Sequence, residues 1–308
     1  MNFQKYLASN AVEINREIES CLNAWIIDVA KTDKQLTDVA KLFVDRNFGG
    51  KVLRGCLVLL GYRLAGKKYT KEILKAAAAI EIFQTSVLAQ DDIIDLSPIR
   101  RGKPTIYKAL GGDHYAISQT ICLGDIGFFL GLRLISDSKF DPLFRTRAVT
   151  AFSNMTINTG LGEMLDIELP RLEKNKTDKA VLTIHKLKTS YYTIIYPMAI
   201  GALLGGASQA LIKHFEVFGE NLGIAFQIQD DILGVFGDEK QLGKSVTSDI
   251  EEGKNTLLIT FAFKHASLKQ KKILDKYYGK GRVDESTHDL IKKVFEETDD
   301  YIIFQDFD

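Results

Sequence analysis

A chain of 308 residues with 45% hydrophobic content can bury a large core, and length alone leaves one domain or two open. Its 40 basic and 40 acidic side chains cancel to a net charge of +0, so no global field recruits nucleic acid and any polyanion must be gripped locally. Cys21, Cys56 and Cys122 are far apart, odd in number and without metal spacing, which fits buried thiols in a reducing, cytoplasmic setting rather than a disulfide frame. The charged N-terminal stretch has no apolar core of a signal peptide.

Apolar residues recur at helical spacing over 2–30 and 34–45. A break at 48–50 precedes a predicted helix over 51–64 with Lys51 and Arg54 in its first turn. Three apart, these cations face one way beside the open N–H groups of a helix N-terminus, a local anion site. A surface turn carrying two cations has the same sequence. After a turn at 66–70, an Ala-rich helix over 71–95 ends in Asp91, Asp92 and Asp95. Pro98, Gly102 and Pro104 make 97–104 a loop, and it carries Arg100, Arg101 and Lys103.

Long helices are predicted over 117–134, 142–169 and 177–204, the last kinked, with Pro170 as a stop signal. A helix over 207–236 runs into Asp230 and Asp231, 237–253 is a loop, and shorter helices over 254–265, 268–278 and 285–298 follow. The uncharged stretch 191–212 is nearly long enough to cross a bilayer, but Pro197, Gly201, Gly205 and Gly206 favour a buried, kinked helix. No transmembrane segment is therefore expected. Sustained strand alternation and linker-like composition are both missing, which predicts one all-α domain over 1–308. The five histidines stand apart, without ligand-pair spacing.

Three carboxylates at one helix end are a poor structural choice. They repel one another, and the helix C-terminus adds partial negative charge. Mg²⁺ resolves the conflict, because it takes carboxylate oxygens and keeps positions open for phosphate and water. The cations just beyond suit phosphate oxygens. Acid followed by base thus points to a metal-bound diphosphate, although a solvated helix end with ordinary surface charges reads alike. The motif is echoed: QDDI at Gln90–Ile93 returns in AFQIQDDILG at 225–234. Two acidic helix ends facing each other across a bundle would clamp metal ions.

At these residues the chain resembles the trans-isoprenyl diphosphate synthases, the polyprenyl synthetase family, which carry two DDxxD motifs. The first is complete in Asp91, Asp92 and Asp95; the second has Asp230 and Asp231, with Gly234 where a third Asp usually stands. GGKVLR at 49–54 is similar to the family's GGKxxRP, with Gly55 in place of proline, and RRGKP at 100–104 matches outright. Lys188-Thr189 and the segment from Lys244 through Lys254 resemble its KT pair and its GKxxxSDxxEGKxT stretch.

The resemblance implies an isoprenoid-synthase helical bundle around a central apolar cavity, usually homodimeric. It implies a Mg²⁺-dependent prenyltransferase that condenses isopentenyl diphosphate with an allylic diphosphate. Metal falls to the five motif aspartates, and isopentenyl diphosphate to Lys51, Arg54, Gln84 and Arg101. The allylic diphosphate falls to Arg100, Lys188, Lys244 and Lys254, with Thr189 and Gln227 in support. Product length is implied to be set by Val87 and Ser86, four and five residues before Asp91, with Phe83 a turn deeper. Both are small, so geranylgeranyl or longer is expected. Family members usually extend further and end in basic residues, whereas this sequence closes with DDYIIFQDFD. Impaired closure, or a partner replacing the tail, is the corresponding expectation. Two rival readings are a weakly active partner subunit of a synthase and a class I terpene cyclase. GGKVLR and RRGKP oppose the cyclase, which has no second diphosphate to bind.

Overall fold

The computed structural model describes residues 2–171, 177–237 and 246–298. Helix dominates, as the apolar spacing predicts. In order come α1 (Phe3–Thr32), α2 (Thr37–Arg46), α3 (Leu53–Leu64), α4 (Lys71–Ile94), α5 (Ile106–Ala109), α6 (His114–Ser136), α7 (Pro142–Glu168) and α8 (Asp178–Ile184). A π-helical stretch, His185–Ile195, leads into α9 (Tyr196–Leu204) and α10 (Gln209–Phe236). The helices Ser248–Glu252, Leu257–His265, Leu268–Tyr277 and Glu285–Glu297 follow. The backbone divides into two compact units: Met1–Thr156 with Tyr192–Phe218, and Ile157–Tyr191 with Gly219–Asp308.

The first unit is built on α4. Its run from Ala76 to Phe83 is buried at every position. A helix apolar all round needs neighbours on all sides, and α4 packs against α1, α3, α6 and α9. The core joins Ile14, Ile18 and Leu22 of α1 to Phe43, Val58, Ile80, Phe83 and Phe152. α3 and α9 approach through paired glycines: a Cβ on Gly61 would strike the Met198 carbonyl, and one on Gly201 the Val58 carbonyl. In the second unit the apolar core is Ile232, Val235, Ile250, Leu258, Ile259, Leu274, Ile291, Val294 and Phe295. Its last two helices begin at Ser267 and Asp284, whose side chains accept backbone N–H groups of the first turn; the former closes a capping box with Gln270.

Four local expectations need correction. The helix expected from residue 51 starts at Leu53, because Val52 sits in the left-handed region at φ 52°. Lys51 therefore precedes the helix and does not share its first turn with Arg54. Residues 97–104 hold a small antiparallel hairpin, Ile99–Arg100 against Lys103–Pro104, turned by Arg101 and Gly102 at φ 54° and 71°. The helix predicted over 177–204 changes to π winding at His185–Ile195. Finally, 191–212 is interrupted at 205–208, and among the described residues the helix long and apolar enough to cross a membrane is α6 instead. Lys244 and the acidic end at 299–308 lie outside the described residues.

Candidate active site

In the first unit, α4 delivers Asp91 and Asp92 in its last turn and Asp95 as its C-cap. Carboxylate oxygens of Asp91 and Asp95 lie within 4.8 Å of each other. The hairpin turns the chain back so that Arg100 meets this helix end. Its Nε donates to Asp92 Oδ1 at 2.6 Å and its Nη2 to Asp91 Oδ2 at 3.1 Å. Burial pushes the Asp92 carboxyl up to about 6, with Arg100 pulling the other way and Asp91 and Asp95 adding to the rise. For Arg100, burial opposes the charge, but Asp92 and Asp91 outweigh it and hold the guanidinium above its ordinary range.

Beside this lies a second cationic group. Arg101 packs its guanidinium over Gly50 and donates weakly to the Arg46 and Phe48 carbonyls, at 3.5 and 3.4 Å. Arg54 is buried, donates from Nη2 to Thr193 Oγ1 at 2.7 Å, and stacks 4.1 Å over the Tyr192 ring. Between them electrostatically is Glu81, which accepts the Gly55 N–H at 2.7 Å. Burial raises the Glu81 carboxyl, while the Gly55 N–H, Arg54 and Arg101 lower it. A cavity of about 120 Å³ opens here, lined by Asp92, Arg100 and Arg101 on the polar side and by Phe48, Leu88 and Ile106 on the apolar side. Gln84 and Val87 are half-buried on α4, and Lys51 is exposed. Ser86 and Phe83 are fully buried. The Phe83 ring is enclosed by Phe128 and Phe152, both at 5.3 Å, and by Tyr192 at 6.4 Å.

The second unit collects the other expected residues. Lys188, on the π-helical stretch, is held by Glu163 at 2.8 Å and Asp166 at 2.7 Å from α7. Its neighbour Thr189 donates to Gln227 Oε1 at 2.5 Å, and Gln227 Nε2 donates to Asp231 Oδ1 at 2.8 Å. Consecutive hydrogen bonds thus link Thr189, Gln227 and Asp231. Asp231 is buried, its Oδ2 accepts no hydrogen bond, and His185 Nε2 stands 3.3 Å from it. Asp230 lies one residue earlier in α10. Lys254 Nζ lies 3.3 Å from Glu252 and 3.9 Å from Asp249.

Within the first unit, Asp91 and Asp95 present close carboxylate oxygens that suit a hard divalent cation. Within the second, the buried Asp231 offers Oδ2, with His185 Nε2 at 3.3 Å, as a further carboxylate oxygen of the same hard type. The sequence reading gave no site role to Glu81, Tyr192, Thr193 and His185. Glu81 had a signal, a lone carboxylate inside the buried run of α4. The others sit far in sequence from the groups they serve, so spacing carries no trace of them.

Comparison with known proteins agrees with this arrangement. Residues 34–298 match the polyprenyl synthetase family. A geranylgeranyl diphosphate synthase of Sulfolobus acidocaldarius is 34% identical, over 80% of this chain and 74% of its own length. A geranylfarnesyl diphosphate synthase of Aeropyrum pernix is 37% identical, over 72% and 69%. The crystal structure of a geranylgeranyl pyrophosphate synthase from Corynebacterium glutamicum, complexed with isoprenyl diphosphate and magnesium, superposes with a TM-score of 0.90. It is 27% identical and is matched over 99% of this chain and 90% of that one. Helical architecture, acidic helix end and cationic neighbours therefore have one common source: the chain belongs to the polyprenyl synthetase family.

Proposed function

We propose that this prenyltransferase elongates an isoprenoid chain by joining isopentenyl diphosphate to an allylic diphosphate, with geranylgeranyl diphosphate or a longer chain as product. The observation carrying this reading is the Arg100 fork on Asp91 and Asp92 at the mouth of a half-apolar cavity, with Arg101 alongside. Asp91, Asp92, Asp95, Asp230 and Asp231 would hold Mg²⁺, which when bound would neutralise charge building on the departing diphosphate. Arg100, Lys188, Lys244 and Lys254 bind the allylic diphosphate, and Thr189 and Gln227 orient that set. Arg54, Arg101, Gln84 and Lys51 hold the diphosphate of the second substrate.

The allylic C–O bond breaks with its electron pair leaving on the diphosphate. The alkene of isopentenyl diphosphate supplies the pair for the new C–C bond, and loss of a proton restores a double bond. The resemblance assigns that proton to the released pyrophosphate. Apolar walls from Phe48, Leu88 and Ile106 keep water from the cation. The two compact units are read as one polyprenyl synthetase domain, which the unbroken family match over 34–298 supports. The unbonded cysteines support a cytoplasmic setting.

The test incubates the protein with Mg²⁺, labelled isopentenyl diphosphate and, separately, dimethylallyl, geranyl and farnesyl diphosphates. Chromatography of the hydrolysed products should show chains beyond farnesyl. Lack of labelled product with every primer rejects the reading.

A further inference from the structure

Lys254, which the resemblance gives to the allylic diphosphate, stands on a turn whose main chain is held from outside. Its own N–H donates to the Asp249 carbonyl at 3.0 Å, and its carbonyl accepts the Thr256 N–H at 3.1 Å. A second donor reaches that carbonyl from 24 residues further on: the Tyr278 hydroxyl, at 2.6 Å. The Lys254 side chain keeps 27% exposure, so a ligand can reach its ammonium while the main chain stays fixed.

Tyr278 is itself anchored. It is the first residue past the helix Leu268–Tyr277, and its ring packs edge-on against the buried Phe295, with centroids 6.5 Å apart. From there the chain runs along the short helix Ser248–Glu252. Gly279 N–H donates to the Ile250 carbonyl at 2.8 Å, and Gly281 N–H to the Glu251 carbonyl at 3.2 Å. Val283 N–H donates to Glu251 Oε1 at 3.2 Å, and the same oxygen accepts the Thr247 hydroxyl at 3.1 Å. Position 279 favours glycine twice over: its φ is 70°, and a Cβ there would meet the Gly253 Cα at 3.1 Å. Residues 278–283 thus form a strap on the turn that presents Lys254. Burial first, then Asp249 and Asp231, push the Tyr278 hydroxyl well above its ordinary range. It therefore keeps its proton and stays a donor at working pH.

We propose that Tyr278 is a positioning residue of the transferase: its hydroxyl, aimed by the 278–283 strap, fixes the main chain of Lys254 and so sets where the ammonium meets the allylic diphosphate. This rests on the prenyltransferase reading and adds to it a residue from the last part of the chain. Tyr278 touches neither substrate nor metal and acts through Lys254 alone. Such a role has its own signature. Loss of the hydroxyl ceases to matter once the Lys254 side chain is gone, because no ammonium is left to aim.

The test compares the full chain as wild type, Tyr278→Phe, Lys254→Met and the double variant Tyr278→Phe/Lys254→Met. Calorimetry gives the Kd for inorganic pyrophosphate at fixed Mg²⁺. Steady-state assays give KM for isopentenyl diphosphate and for the fastest of the three allylic primers, and thermal unfolding reports the fold. Tyr278→Phe keeps the ring on Phe295 and should raise the pyrophosphate Kd and the allylic KM about tenfold, as misplacing a binding group does, with KM for isopentenyl diphosphate unchanged. In the Lys254→Met background the same change should alter Kd less than about twofold, the non-additivity that a double-mutant cycle isolates. Glu251→Ala, which frees Val283 from the short helix, should also raise the allylic KM, and Glu251→Gln, which keeps the acceptor, should restore it. Where Tyr278→Phe is too unstable to assay, the Glu251 pair decides by the same criteria. A Tyr278→Phe that only melts earlier, with Kd and allylic KM as in wild type, overturns the proposal. So does an equal loss in both backgrounds, and either result leaves the transferase reading intact. A wild type that turns over no primer and binds no pyrophosphate with Mg²⁺ overturns the parent reading, and the proposal with it.

Discussion

Glu81 shows how one residue sets the charge state of a site that it never has to touch. Arg54 and Arg101 are like charges near one carboxylate, and burial works against the charge of Arg101. The buried carboxylate balances them and also accepts the Gly55 N–H. That donor exists only because Gly55 stands where the resembled motif has proline, which has no N–H. Glu81→Ala removes both functions and should cost about 3 kcal/mol of stability, as breaking a buried charge pair does. Glu81→Gln keeps an acceptor for the N–H but removes the charge. Its KM for isopentenyl diphosphate should rise about tenfold, equivalent to about 1.4 kcal/mol, with the KM for the allylic primer unchanged. The pH dependence has a defined sign. The folded state raises the Glu81 carboxyl above its ordinary 4.5, so the folded protein binds more protons than the unfolded chain between that value and the raised one. Stability relative to Glu81→Gln should therefore fall as pH climbs from about 4.5 through this window. Urea unfolding of both proteins across that range measures it, and parallel profiles reject the role.

At the scale of the element, α4 is the scaffold of its unit, and the proposed function makes it a ruler as well. Ser86 is fully buried and turns its hydroxyl to the Ile82 carbonyl at 3.0 Å. Gly127 of α6 faces it, with the Phe43 ring close by. One turn deeper, Phe83 lies within its ring of aromatic neighbours, where the proposed path would end. Ser86→Phe sets a second aromatic across that path and should shorten the product by at least one isoprene unit. Overpacking against Gly127 should cost about 1–3 kcal/mol. Product chromatography decides, and unchanged chain length removes Ser86 from the ruler. The sequence announced α4 and the acidic ends of α4 and α10 plainly, because helical periodicity and repeated motifs are local signals. Its limits were equally physical. Lys51 was placed on a helix that begins two residues later, since nothing in GGKV marks a left-handed Val52. The π winding of His185–Ile195 leaves no distinct apolar period, yet it carries Lys188, Thr189, Tyr192 and Thr193.

For the whole molecule, the balanced charge and the surface of α6 have to be read together. One stripe of α6, including Thr120, Leu123, Gly124, Gly127 and Gly131, is buried. The opposite stripe leaves Ile121 43%, Ile126 40% and Phe129 70% exposed, with Cys122 also open. A helix this apolar and only 33% buried over its most apolar window has an unmet demand for cover. A second copy of the chain would meet it by placing the same stripe against itself, the isologous arrangement commonest among oligomers, and this is the homodimer that the family resemblance implies. A net charge of +0 puts no long-range repulsion in the way. Sedimentation equilibrium should return twice the chain mass of 34.5 kDa. Phe129→Glu, which sets a charge in the middle of the stripe, should shift the protein to the single-chain mass while far-UV circular dichroism stays unchanged. Neutral phosphatidylcholine vesicles should fail to retain the wild-type protein in flotation. A wild type that runs as one chain, or vesicle binding that Phe129→Glu abolishes, would assign the stripe to a membrane or another partner instead of a second copy.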